Sequence, residues 1–161
     1  MRDLGPADRL AIGAVGRPGE RTFLIQVHAG GHVAGFVIEK AQAAALAREA
    51  GRLLAEAGFA GAGDDLEPPE VDPDVVPEFR VVGMELRQLG ATDMVTLVLA
   101  AEDQIEQVTV EVTTAQLEMA ARGAADAVRS GRPRCPRCGL AMDPDGHACP
   151  TGNGDLRGHR P

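Results

Sequence analysis

Cys135, Cys138, His147 and Cys149 fall within one stretch of 15 residues, which holds every cysteine of the chain. The pattern is Cys-x2-Cys, a gap of eight residues, then His-x-Cys. Thiolates and a neutral imidazole are the donors that suit zinc, and four of them complete a tetrahedral shell. A complete shell leaves no position for water, so the expected ion is structural rather than catalytic. The short Cys-x2-Cys spacing brings two sulfurs to one ion from a tight turn. Gly139 permits the left-handed backbone that such a turn uses. Asp143-Pro-Asp-Gly146 is a turn sequence that folds the second ligand pair back onto the first. His159 is an alternative to His147, at a looser spacing. The competing readings are a redox pair at Cys135 and Cys138, and an unmetallated tail with stray thiols.

Other residues with chemical potential have weaker surroundings. His28 and His32 flank a hairpin turn and are the candidates for a general base in an enzyme. The plainer alternative is that both are solvated. Arg21 beside Glu20 is either an anion contact or a surface ion pair. Gly16-Arg-Pro-Gly19 is not a phosphate loop, because no Lys-Ser/Thr follows and a strand comes next. Asp64, Asp65, Glu67 and Glu70 lie in a proline-rich stretch that cannot easily desolvate a carboxylate for catalysis. Ser130 is the single serine, in no nucleophile pattern. No catalytic or organic-cofactor residue is assigned.

The elements that would position these groups form two similar runs. Residues 10–15 read as a strand, 21–28 and 33–38 as a hairpin around Ala29-Gly-Gly31, and 40–57 as a helix. In that helix Ala43, Leu46, Ala47, Ala50, Leu53, Leu54 and Ala57 make one apolar stripe, closed by Gly58. Strands follow at 79–88, 94–100 and 106–112, then a helix at 115–129 with its stripe on Leu117, Ala120, Ala121, Ala124 and Val128. Thr113 and Gln116 fit a capping box. Val37-Ile38-Glu39-Lys40-Ala41-Gln42 aligns with Glu111-Val112-Thr113-Thr114-Ala115-Gln116 at an offset of 74. The expected fold is therefore α+β: two βββα pseudo-repeats forming antiparallel sheet or sheets, with both helices on one side, plus a small zinc knuckle. The expected division is a body over 1–132, holding an extended acidic linker at about 61–77, and a tail over 133–161.

Composition narrows the possible functions. The core must be aliphatic, since the chain has no Trp, no Tyr and four Phe. Its net charge is −8, spread unevenly. Residues 64–78 hold seven acids and no base, whereas residues 129–161 hold six Arg against three Asp. An acidic body disfavours nonspecific binding to a polyanion. No apolar run approaches the roughly 18–20 residues that span a bilayer, and Met-Arg-Asp-Leu-Gly-Pro is not a signal core. A cytoplasmic setting is expected, where thiols stay reduced.

Several stretches together resemble an actinobacterial family of unknown function, domain of unknown function 3090. They are Val15-Gly-Arg-Pro-Gly-Glu-Arg-Thr-Phe23, Glu78-Phe-Arg-Val81, and Gly131-Arg-Pro-Arg-Cys-Pro-Arg-Cys-Gly139 with Asp143-Pro-Asp-Gly-His147, Cys149-Pro150 and Asn153-Gly154. Thr151 and Met142 stand where that family usually has Arg and Pro. The resemblance implies the metal ligands and a bacterial cytoplasmic protein, and no activity. The expectation is a non-enzymatic adaptor or regulatory module with structural zinc and a protein partner. Arg132, Arg134 and Arg137 would meet an acidic partner or fold back on the acidic linker. The alternatives are single-stranded nucleic-acid binding, as in the repeat architecture of Pur-alpha and Whirly proteins, and an enzyme using His28 or His32. Few aromatics are present for base stacking.

Overall fold

The structure is a computed structural model that describes residues 1–59, 66–88, 92–102, 106–143 and 145–151. Nine elements follow in order: β1 Arg2–Pro6, β2 Arg9–Val15, β3 Thr22–Ala29, β4 His32–Ile38, α1 Lys40–Glu56, β5 Pro77–Gln88, β6 Met94–Ala101, β7 Gln107–Thr113 and α2 Thr114–Arg129. The fold is α+β, one seven-stranded sheet in the order β1-β7-β6-β5-β4-β3-β2 with two helices. Each three-strand run pairs antiparallel within itself. The runs join through β4 and β5, which are parallel, and β1 adds parallel to β7, so the sheet is mixed. The parallel β4–β5 pair follows from a helix crossover, because α1 between them returns the chain in the same direction.

The apolar stripes of both helices face one core. Ile12, Ile25, Phe36, Leu97, Val110 and Leu117 are each at most 1% exposed, and Ala43, Ala50, Ala120 and Ala124 are fully buried among them. Alanines let the two helices approach each other closely, and α1 packs on α2. Helix α2 also runs along β2. A Cβ at Gly123 would lie 2.7 Å from the Ile12 carbonyl oxygen, so only a bare Cα fits there. The expected capping box is present: Thr113 Oγ1 accepts from the Gln116 amide at 3.1 Å, and Gln116 Oε1 accepts from the Thr113 amide at 2.8 Å.

Strand β1 is an element that no local pattern in the sequence marks. Its residues carry one apolar side chain, Leu4, together with Gly5 and Pro6, and it is a strand because β7 offers it an edge. The expected linker also differs from an extended tether. Residues 61–65 lie outside the described residues, but Glu70, Val71, Asp72 and Val75 contact the sheet. Gln26, fully buried, donates Nε2 to the Asp72 carbonyl and accepts from the Asp72 amide, both at 2.7 Å. Val71 and Val75 sit over the backbones of Gly13 and Gly35, and Arg9 donates to the Glu70 carbonyl. Among the described residues Arg132 pairs with Asp143 and Arg134 donates to the Gly139 carbonyl, rather than to this acidic segment.

Candidate metal centre

Helix α2 ends at Ser130, and the chain turns at once into a narrow hairpin. The Cys135 amide donates to the Leu140 carbonyl and the Gly139 amide to the Cys135 carbonyl, each at 2.8 Å. Arg134 and Ala141 form an antiparallel bridge below that turn. Gly139 has φ of +73°, the left-handed value that the sequence anticipates. The Arg137 amide points at Cys135 Sγ, 3.4 Å away, and supplies a dipole to the sulfur. Asp143 and Gly146 form a second bridge that returns the chain toward the first turn.

These turns bring together all four residues anticipated as ligands. Their ligand atoms lie within 4.8 Å of one another. Cys135 Sγ is 3.9 Å from Cys149 Sγ, and Cys138 Sγ is 3.1 Å from His147 Nε2. Two sulfurs bound to one tetrahedral zinc, each at about 2.3 Å, stand about 3.8 Å apart. The sulfur separation matches that edge and is far longer than a disulfide, at about 2.0 Å. All three cysteines are free. A redox pair at Cys135 and Cys138 would leave the convergence of Cys149 and His147 without a cause. The residues could thus hold a metal ion, and among the described residues they are the one Cys, His, Asp or Glu group that could.

The electrostatics are uneven across the thiols. Thr151 Oγ1, 3.2 Å from Cys149 Sγ, is the main cause that lowers the Cys149 thiol to about 7. Burial is the main cause that raises the Cys138 thiol. His147 Nδ1 is buried with no hydrogen-bond partner among the described residues. The imidazole therefore offers Nε2 to the cluster, and Nδ1 is the nitrogen left to carry the proton. Thr151 stands where the resembling family usually has Arg; its position two residues after Cys149 is the sequence signal for this contact.

The other candidates are dispersed. His28 Nε2 faces the Arg9 guanidinium at 3.3 Å, and His32 is exposed at the start of β4. Neither approaches the metal group. Arg21 turns away from Glu20, donating to Ser130 Oγ at 3.1 Å with its guanidinium 5.4 Å from the Phe23 ring centroid. Arg132 pairs with Asp143 at 2.7 Å, while its stem crosses Gly19, 3.2 Å from where a Cβ would stand. Arg134 donates to the Gly139 carbonyl at 3.2 Å. Asp64, Asp65 and His159 lie outside the described residues.

No curated protein and no solved structure matched the chain. The sequence model of the family described as Protein of unknown function (DUF3090) matches residues 3–149, which include β1 from Asp3, β2 to β7, both helices and the four converging ligands, and the chain belongs to that family.

Proposed function

We propose that the chain is a non-enzymatic zinc-binding module acting as an adaptor or regulatory subunit for a protein partner. One observation carries the zinc reading: the sulfurs of Cys135, Cys138 and Cys149 and a ring nitrogen of His147 converge within 4.8 Å. Three sulfurs and one nitrogen are the donor set of structural zinc rather than of magnesium or calcium, which take oxygen. Such an ion folds a segment too short to hold itself. The tail, 133–161, then acts as a unit on the body, 1–132.

Arg137 is the best of the three arginines for contact with an acidic partner. Arg132 and Arg134 have hydrogen-bond partners within the knuckle, whereas the Arg137 side chain is exposed. The nucleic-acid reading has less support. Phe36 and Phe79 pack on each other with centroids 4.9 Å apart, Phe23 is buried, and Phe59 alone of the four is exposed. A cytoplasmic setting agrees with three free thiols, and no described helix is long and apolar enough to cross a membrane.

Native mass spectrometry on chain purified without chelator tests the metal. One zinc per chain, lost on Cys149→Ser, is expected. A chain free of metal would return Cys135 and Cys138 to the readings of a redox pair or an unmetallated tail. Affinity capture with wild-type chain and Arg137→Glu then tests the partner, whose recovery should depend on Arg137.

A further inference from the structure

A cavity of about 530 Å³ opens where the knuckle meets the sheet. Arg21, Lys40, Arg80, Arg132 and Arg134 line it, with Glu39 the single acid. That is a net positive wall on a chain of net charge −8. Two of the cations converge on one point. A Cβ at Gly131 would lie 2.9 Å from Lys40 Nζ and 3.4 Å from Arg21 Nη2, so the bare Cα is what admits both. Arg80 pairs with Glu39, and Arg132 with Asp143. Among the described residues no acid pairs with Arg21, Lys40 or Arg134. Like charges gathered on one cleft wall repel, and an anion between them relieves that repulsion.

We propose that this cleft binds a small ligand bearing two or more phosphates. Guanidinium forks match phosphate oxygens in pairs, and an ammonium adds a point charge. The cation count exceeds what one carboxylate would neutralise. The volume lies in the range of small-molecule sites, about 300–1,000 Å³. Phe23 and Leu140 add apolar surface, which suits a ligand with an organic part. The N-terminus of α1 is not the argument, since Glu39 and Gln42 already form a capping box there. Neither is a long polyanion the ligand, because the acidic remainder of the surface repels it. Arg132, Arg134 and Leu140 come from the knuckle, so that wall rests on the metal reading; Arg21, Lys40 and Arg80 belong to the sheet and α1.

Isothermal titration of the full, metal-loaded chain at low salt tests this, with pyrophosphate, ATP and a single-stranded oligonucleotide as probes. Binding of pyrophosphate or ATP, one per chain, is expected. It should weaken about ten-fold or more in Lys40→Ala and in Arg21→Gln, with circular dichroism and metal content unchanged. Equal affinity for both probes would assign the phosphates alone; tighter ATP would add the nucleoside, and either supports the site. The inference fails if neither probe saturates the chain by about 1 mM, if both variants bind as wild type, or if only the oligonucleotide binds. Metal content is measured on the same sample. Zinc-loaded chain that ignores both probes overturns this inference alone, whereas metal-free chain that binds pyrophosphate overturns the zinc reading alone.

Discussion

Ala7 and Asp8 are adjacent in the chain, yet their amides donate to strands far apart in the sheet. Ala7 donates to the Glu111 carbonyl on β7 at 2.8 Å, and Asp8 to the His28 carbonyl on β3 at 2.7 Å. β1 and β2 are the two edges of the seven-stranded order. Two residues span them only because the sheet curls until its edges meet at that corner. Helix α2 bridges the same gap, touching β2 as well as β6 and β7, and Gln116 Nε2 donates to the Ala7 carbonyl at 2.8 Å.

The curl explains what β1 does for the chain. It covers the edge of β7, which otherwise presents unpaired amides and carbonyls. Deleting residues 2–6 should yield a chain that self-associates. Light scattering coupled to gel filtration should show a larger mass than intact chain at equal concentration, and an unchanged mass would refute this role.

Two helical glycines should respond to alanine with opposite signs. Gly51 in α1 has nothing within 4 Å of a Cβ, so Gly51→Ala should raise stability by up to about 1 kcal/mol through helix propensity. Gly123→Ala gains the same propensity, but its Cβ meets the Ile12 carbonyl at 2.7 Å. Overpacking of this kind costs about 1–3 kcal/mol, which outweighs the gain. Thermal melts of the two variants should move apart, upward for Gly51→Ala and downward for Gly123→Ala.

Gln26 ties the crossing segment to the sheet. Gln26→Leu keeps the bulk but strands the Asp72 amide and carbonyl, at a cost of about 1–3 kcal/mol. Limited proteolysis should then cut within 66–76 faster than in wild type, while the far strands stay protected. Equal cutting rates would show that Val71 and Val75 hold the segment unaided.

Metal uptake should depend on pH with a break. A bound zinc would take Cys135, Cys138 and Cys149 as thiolates, so acid would compete with it. Cys149 is lowered to about 7 and Cys138 is raised. Below about 7 the Cys149 thiol must lose a proton to bind; above it, that proton is already gone. Affinity therefore falls as pH falls, more steeply below about 7. A depressed thiol contributes stability above its ordinary value that is lost as pH drops through the lowered one, so acid weakens the metal-free knuckle at Cys149 too. Chelator competition from about pH 6 to about pH 8 measures the slope; Thr151→Val should move the break upward.

How much was legible differs from strand to strand. On β7, Val108, Val110 and Val112 point inward while Gln107, Thr109 and Glu111 do not, and the alternation is plain in the sequence. On β3, Leu24 and Gln26 are buried along with Phe23, Ile25 and Val27. Alternation identified one face; the cover of the other comes from Asp72, 46 residues away, which no local pattern encodes. β1 carries no signal of its own. The four ligands were legible because their spacing is local, within 15 residues. The cationic cleft draws on residues from Arg21 to Arg134 and exists only once the knuckle has docked.

The pairing of β1 with β7 also sets an order in time. Asp3 and Thr109 are hydrogen-bonded side chains 106 residues apart. On the ribosome Arg2–Pro6 emerge early and have no partner until β7 has been made. β2 through β4 can pair at once through short turns, but the closing strand must wait. Contacts of such long separation slow folding, so β1 locks only after β7, which is made long after it.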